Sequence, residues 1–250
     1  MNETAVPRDL QGVHNFRPVG PYRVAGGRTM QPGRIYRSGA LEPMTPADRA
    51  LLEHTIGLRT ILDLRHPDEF VHAPEPHPLS DRVIRLSLFP ERIAQEGLIA
   101  ELNALYGPGP SPGRYLQYLE IGGDRIARAF ELFAEDHRYP VLVHCTAGKD
   151  RTGVLIGLIM DVLGADPADI AHEYALSNGS IDRLLAYLRA SGRQLEGTEE
   201  EIRARLATPP DHMAGFIELL HQRYGGAEPF FLRQGVSQRT IDAVRELLIG

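Results

Sequence analysis

Short apolar runs alternate with longer amphipathic segments through the first two thirds of the chain. Four runs are rich in aliphatic residues and bounded by Gly, Pro or charged residues, which is typical of short buried strands. We predict strands in these runs, at residues 33–37, 60–65, 83–88 and 140–144. The helical spacing of apolar residues predicts helices between them, at residues 46–56, 91–105 and 115–134.

The chain beyond about residue 152 is predicted to be mostly helical. Capping residues or a first-turn Pro mark helix starts near residues 152, 167, 180, 198, 211 and 237. This order predicts an α/β fold, with a central, mostly parallel sheet flanked by helices and a largely helical C-terminal part. No composition shift marks a boundary, so we expect one domain over residues 1–250. Lid elements are expected within 91–135, where the Gly- and Pro-rich stretch 107–113 cannot be helical, or within 188–235.

The overall charge excludes some classes of partner. The 250 residues carry 27 Lys and Arg against 33 Asp and Glu, a net charge of −6. Such a chain has no general attraction for nucleic acid or anionic lipid, so any anion site must be local. The longest apolar stretch, Val154 to Leu163, is too short to span a membrane and contains Asp161. No signal peptide is visible, so we expect a cytoplasmic protein, with leaderless export left open.

The sequence has one cysteine, Cys145. A lone cysteine excludes an intrachain disulfide and a cysteine-rich metal cage. Three histidines, His66, His72 and His77, lack the spacing of a helical metal site and are expected in a solvated loop. We therefore expect neither a metal nor another cofactor.

Cys145 lies in the segment HCTAGKDRTG, residues 144–153, between an apolar strand and an apolar helix. A loop that joins a strand end to a helix start turns backbone N–H groups inward and forms an anion nest. Arg151 can fold back over that nest and hold two phosphate oxygens. Gly148 permits backbone geometry that a side chain would block. The predicted phosphate-binding residues of this loop are Thr146, Ala147, Gly148, Lys149 and Thr152.

The same electrostatic field acts on the thiol. A helix N-terminus and nearby cations can lower a cysteine pKa by roughly three units from about 8.5, which favours the thiolate. A thiolate beneath a phosphate site suits nucleophilic attack on phosphorus, giving a cysteinyl-phosphate that water hydrolyses. Thr152, or less readily Thr146, would donate a hydroxyl hydrogen bond to the sulfur. The alternative, a small apolar residue at a strand end, does not account for the Gly, Arg and Thr around Cys145.

The loop CTAGKDR matches the C-x5-R signature of cysteine-dependent phosphatases. The longer HCTAGKDRTG resembles the PtpB-like atypical, dual-specificity tyrosine phosphatases. Four more segments resemble that family, namely NFRPVG, GRIYRSGAL, ILDLR and DIAHEYALSN, and together they span most of residues 15–180. The resemblance implies a phosphatase-like α/β fold, metal-free chemistry, a phosphorylated protein or phosphoinositide substrate and, in some members, a helical lid.

The leaving oxygen of a phosphate ester needs a proton from a nearby acid. The chain has no Trp and therefore lacks the usual Trp-Pro-Asp loop. Asp150, inside the loop, and Asp63, at the end of a predicted strand, are the candidates. We favour Asp150, because the charge of a bound phosphate raises the pKa of an adjacent carboxyl. Asp63 could instead form a salt bridge with Arg65, or with Arg37 or Lys149.

Other residues are expected to support the site. His144 would order the loop through hydrogen bonds, and Arg37 and Arg65 would shape it or pair with acids. Lys149 adds positive charge at the mouth, unless it is merely solvated. Its position also resembles lipid phosphatases with C-x-x-G-K-x-R loops. The favoured function is therefore a tyrosine phosphatase; the alternatives are a phosphoinositide phosphatase and a silent phosphate-binding module.

Overall fold

A computed structural model describes residues 9–69, 79–90, 95–193 and 195–250. Its strands are β1 (Arg17–Pro18), β2 (Ile35–Ser38), β3 (Thr60–Asp63), β4 (Val83–Arg85) and β5 (Val141–His144). They form one sheet in the order β1-β2-β5-β3-β4. Only the β1–β2 pair is antiparallel among these strands, and the other neighbours are parallel. The predicted α/β fold with a mostly parallel sheet is confirmed.

Helices cover both faces of this sheet and make up most of the C-terminal half. The α-helices of the described residues are α1 (Pro46–Ala50), α2 (Gln95–Tyr106), α3 (Pro112–Glu131), α4 (Asp150–Leu163), α5 (Pro167–Ala175), α6 (Ile181–Ala190), α7 (Glu199–Leu206), α8 (Pro210–Tyr224), α9 (Ala227–Arg233) and α10 (Gln238–Leu248). None of these described helices has the length and apolar character needed to cross a bilayer.

β5 lies at the centre of the sheet and divides the apolar core into two. Val141 and Val143 point into the larger part, which also contains the apolar residues of α4. Leu142 points to the opposite face, where it joins a smaller cluster that includes Leu52. Because side chains alternate along a strand, β5 is buried on both faces. Its C-terminal end is therefore held firmly where the chain enters the cysteine loop.

The helix ends follow the predicted capping signals, with two exceptions. Thr45 and Thr198 each form a capping box, and Ser237 caps α10. The prediction that the stretch 107–113 excludes helix is wrong at its end, because Ser111 caps α3 and places Pro112 in its first turn. The last two helices were predicted to start near residues 211 and 237, with none between them. This is also wrong, because α9 begins immediately after the Gly225–Gly226 break.

α3 passes very close to the chain segment that follows β4. A Cβ atom added at Gly122 would lie 1.8 Å from the carbonyl oxygen of Leu88. At Gly123 the added atom would instead meet the far end of the Gln234 side chain, at 2.9 Å. The Gly122–Gly123 pair, which weakens the helical pattern in the sequence, therefore allows a backbone approach that positions α3.

We expect Gly122→Ala to be strongly destabilising, by more than about 2 kcal/mol, because the clash involves backbone that cannot move cheaply. Gly123→Ala is the matched control, and it should change stability by less than about 1 kcal/mol, because Gln234 can rotate away and Ala favours the helix. Chemical denaturation of both variants measures the difference. Equal effects would contradict the close approach.

Candidate active site

The loop of residues 145–149 connects β5 to α4 at the C-terminal edge of the sheet. Gly148 has a φ of +66°, in the left-handed region. A Cβ atom at this position would lie 2.1 Å from the carbonyl oxygen of Ser38 in β2. Gly148 is therefore required both for its backbone conformation and for its contact with the neighbouring strand.

The side chains of Asn15 and Arg37, both outside the loop, bind carbonyl groups of its second half. Asn15 Nδ2 donates to the carbonyl oxygens of Ala147, at 3.1 Å, and Gly148, at 2.9 Å. The Arg37 guanidinium donates to the carbonyl oxygens of Gly148 and, at 3.3 Å, Lys149. In a trans peptide the N–H points opposite to the C=O. Turning these carbonyls outward therefore turns the next N–H groups inward, as an anion nest requires.

Arg37 is fully buried, and its charge is balanced by Glu173 of α5. Arg17 also pairs with Glu173, at 2.9 Å. Burial alone would raise the pKa of Glu173, but the charges of Arg17 and Arg37 lower it. The structure thus places the predicted supporting residue Arg37 behind the loop, in a buried ion cluster.

Cys145 and Arg151 lie together at a cavity of about 240 Å³. Cys145 is 2% exposed. The loop residues Thr146, Ala147, Lys149 and Asp150 also line this cavity, as does Glu69. Its apolar wall includes Phe89, Ile99, Leu102, Tyr118, Leu184 and Leu188. The structure therefore brings most of the predicted loop residues to one small, partly apolar space.

Glu69 holds Arg151 and was not predicted. Arg151 Nη2 donates to Glu69 Oε2 at 2.8 Å, and Nη1 donates to Oε1. Thr146 Oγ1 donates to the same carboxylate. A guanidinium has five N–H donors, so Nε and one hydrogen on each Nη remain for another anion. Glu69 therefore orients Arg151 without saturating it.

The charge of Glu69 depends on that contact. Its side chain is 2% exposed. Burial alone would raise its pKa, but the charge and hydrogen bonds of Arg151 and the Thr146 hydroxyl lower it from 4.5 to about 2. For Arg151 the effects are reversed: burial alone would lower its pKa, but the charge and hydrogen bonds of Glu69 raise it. Both groups therefore remain charged around neutral pH.

The two candidate acids occupy different surroundings. Asp150 lines the cavity, and its Oδ1 accepts a hydrogen bond from the Tyr115 hydroxyl at 2.6 Å. Its Oδ2 lies 3.7 Å from Lys149 Nζ. Asp63 is 2% exposed, does not line this cavity, and accepts hydrogen bonds from both Nε and Nη2 of Arg65. Burial would raise the pKa of Asp63, but the charge of His144 and the hydrogen bonds and charge of Arg65 hold it well below its usual range.

Arg65 and His144 belong to the cluster around Asp63. Arg65 also pairs with Glu42, at 2.6 Å. His144 Nε2 lies 3.7 Å from Asp63 Oδ2, and burial lowers the His144 pKa. The Asp63–Arg65 salt bridge is the alternative that the sequence left open.

The remaining loop side chains differ from the predicted pattern. Lys149 Nζ donates to the carbonyl oxygens of Arg205, at 3.3 Å, and Leu206, at 3.0 Å, at the end of α7. Thr152 Oγ1 is buried and has no hydrogen-bond partner among the described residues. The predicted donation from Thr152 to the sulfur is therefore not formed here, and the Thr146 hydroxyl binds Glu69 instead.

The histidine stretch is only partly described. His66 is 1% exposed, so its predicted placement in a solvated loop is wrong; its backbone N–H donates to Glu69 Oε1 at 2.9 Å. His72 and His77 lie outside the described residues. Within the described ranges, no group of three or more His, Cys, Asp or Glu residues is arranged to hold a metal ion.

Several residues that organise this site were missed by the sequence analysis. Asn15 and Glu173 fall in segments that carried the family resemblance, but nothing in the sequence showed what they contact. Glu69 is 82 positions from Arg151, and no local pattern marks a contact of that range. The resemblance segments were the only available signal for Asn15 and Glu173.

Comparisons with known proteins identify the family of this chain. The sequence model of the tyrosine phosphatase family matches residues 8–250, so the chain belongs to that family. A tyrosine-protein phosphatase of Nostoc commune is 29% identical over 223 residues, 84% of this chain and 72% of that protein. The triple specificity protein phosphatase PtpB of Mycobacterium tuberculosis is 27% identical over 97% of this chain and 99% of its own. The solved Siw14 catalytic core is 17% identical, covers 79% of this chain and 93% of its own, and has a TM-score of 0.40.

Replacing Glu69 should change the pH dependence of stability. A carboxylate with a lowered folded-state pKa stabilises the fold above its unfolded pKa, and this contribution disappears as the pH falls through the folded-state value. Glu69→Gln should therefore lose roughly 3 kcal/mol at neutral pH. This difference from the wild type should shrink between pH 4.5 and about 2.

Denaturant unfolding across that pH range tests the expectation. Glu199→Gln is the control, because Glu199 pairs with Arg189 and Arg203 on the surface and should contribute little. A stability difference for Glu69→Gln that does not change with pH would contradict the expectation.

Proposed function

We propose that this protein hydrolyses phosphate monoesters through a cysteinyl-phosphate intermediate. The observation that carries the proposal is the shared cavity of Cys145 and Arg151, above a loop whose carbonyls are turned outward. Inward amides and the free donors of Arg151 would hold the phosphate oxygens. Cys145 Sγ then attacks phosphorus, and the leaving oxygen departs from the opposite side.

Asp150 is the proposed proton donor. It would protonate the leaving oxygen, then take a proton from the water that attacks the cysteinyl-phosphate and releases Cys145 with inorganic phosphate. Its position at the cavity, without a guanidinium partner among the described residues, supports this role. The Arg65 salt bridge supports a structural role for Asp63 instead.

The substrate would be phosphotyrosine, with phosphoserine or phosphothreonine as further protein substrates. The apolar wall suits an aromatic ring, and both curated relatives carry protein phosphatase names. A phosphoinositide is the second candidate, because Lys149, Arg193 and Arg205 add positive charge to the same cavity. A silent phosphate-binding module would keep the loop without turnover.

We further propose that residues 1–250 act as one catalytic unit in the cytoplasm. Lid elements within 91–135 or 188–235 are supported by the cavity lining, since Ile99 and Arg114 come from the first range and Leu188 and Arg205 from the second. No nucleic-acid partner and no stable membrane insertion are expected.

Replacing Cys145 or Arg151 tests the chemistry directly. With p-nitrophenyl phosphate in EDTA, wild-type turnover should persist, Cys145→Ser should abolish it, and Arg151→Lys should lower kcat/KM by at least 100-fold, because Lys cannot make the bidentate contact. Activity that survives Cys145→Ser would end the covalent mechanism.

A panel of phosphopeptides and phosphoinositides at matched concentrations then separates the two substrate classes. Higher kcat/KM for phosphoinositides would favour the second candidate. Tight vanadate binding without any burst of product would favour the silent module.

The pH profiles of Asp150→Asn and Asp63→Asn identify the acid. A general acid must be protonated to act, so its ionisation produces the alkaline limb of the rate profile. Asp150→Asn should lose this limb and about 100-fold or more in kcat. Asp63→Asn should keep the limb and lose stability, because it removes the charge of a carboxylate that pairs with the buried Arg65. The reverse pattern would assign the acid to Asp63.

A further inference from the structure

A pair of buried tyrosines lies directly behind Asp150. Tyr115, on α3, is 0% exposed, and Tyr174, on α5, is 1% exposed. The Tyr115 hydroxyl lies 2.6 Å from Asp150 Oδ1 and 2.6 Å from the Tyr174 hydroxyl. The three groups form a continuous hydrogen-bonded chain that runs from the protein interior to the cavity.

The donors in this chain can be assigned from chemistry. A phenol has one hydrogen, and an ionised carboxylate only accepts. The Tyr115 hydrogen therefore goes to Asp150, and Tyr174 donates to the Tyr115 oxygen. Burial and the nearby charge of Asp150 raise the pKa of Tyr115 well above its ordinary value, so Tyr115 remains a donor throughout the working pH range.

The ring of Tyr115 is fixed in place. Its centroid lies 5.7 Å from that of Tyr118 and 5.9 Å from those of Tyr174 and Phe216, all in tilted or edge-on contacts. A hydroxyl on a ring held from three sides cannot follow a moving carboxylate. It therefore defines where Asp150 Oδ1 must lie.

We propose that Tyr115, supported by Tyr174, is a positioning residue for Asp150. In this arrangement Oδ1 keeps accepting from Tyr115 when Asp150 is protonated, and the transferable proton is on Oδ2. Asp150 Oδ2 is 3.7 Å from Lys149 Nζ, and both residues line the cavity. The inference rests on the proposed function, in which Asp150 donates the proton.

Other titratable groups around Asp150 also bear on its protonation. They are Lys149 and Arg151 beside it in the chain, Tyr118 on α3, Tyr174 on α5 and His212 on α8. Tyr115, in contrast to these groups, donates a hydrogen bond of 2.6 Å to the Asp150 carboxylate. A variant that removes this one hydroxyl therefore isolates its contribution.

Tyr115→Phe removes the hydroxyl and keeps the packed ring. For a phosphotyrosine peptide, whose poor leaving group needs the acid, we expect kcat to fall about 10-fold. For p-nitrophenyl phosphate, with its better leaving group, the fall should be about 2-fold or less. The alkaline limb should move upward by about half to one pH unit, because the carboxylate loses a hydrogen bond that favours its charged form.

Two further variants separate positioning from structural damage. Tyr174→Phe should change the same quantities in the same direction but less. Tyr139→Phe also removes a buried hydroxyl, one that donates to the Phe133 carbonyl oxygen at 2.6 Å. It should lower stability without changing the leaving-group dependence or the pH profile. If Tyr115→Phe does not fold, the upward shift of the alkaline limb must be seen in Tyr174→Phe.

A double variant completes the test. In an Asp150→Asn background, adding Tyr115→Phe should cause no further loss of kcat if Tyr115 acts through Asp150. Additive losses, or equal losses for both substrates, would overturn the inference. If turnover depends on Cys145 and Asp150 but not on Tyr115, the inference about Tyr115 is wrong and the proposed function stands. If no turnover depends on Cys145, the proposed function itself is wrong.

Discussion

The site depends on the hydrogen bonds that hold the carbonyl group of Gly148 pointing out of the loop. Arg37 and Asn15 both donate to this oxygen, and the left-handed backbone of Gly148 makes it reachable. Arg37 is fully buried, so its charge would be costly without Glu173. An internal ion pair thus fixes the mostly buried loop in an orientation that turns its carbonyls outward and its amides inward.

The carboxylates around the loop differ in their partners, and the difference divides their roles. Glu173, Glu69 and Asp63 each face an arginine, at Arg37, Arg151 and Arg65 respectively. A guanidinium stabilises the charged carboxylate and prevents it from carrying a proton near neutral pH. Asp150 instead faces a tyrosine hydroxyl and a lysine at 3.7 Å. The proposed acid is thus the one of these four carboxylates without a guanidinium partner among the described residues.

The sequence predicted the parts of the site that are formed by residues close together in the chain. Cys145 begins the loop and Arg151 lies in the first turn of α4 that follows it, so their spacing predicted that they meet and the chemistry that they could support. Glu69 and Tyr115 lie 82 and 35 positions from the loop residues they bind, and each comes from another element. Such contacts depend on how elements pack, which periodicity and capping signals do not encode. Lys149 shows the same limit, because its charge was predictable but its contact with α7 was not.

That contact ties the loop to the helical part of the chain. Lys149 Nζ uses two of its three donors on carbonyl oxygens at the C-terminal end of α7, where the helix dipole is negative. The positive charge of Lys149 therefore lies between the cavity that it lines and the negative end of α7. The same side chain thus helps to form the cavity and holds α7 against the loop.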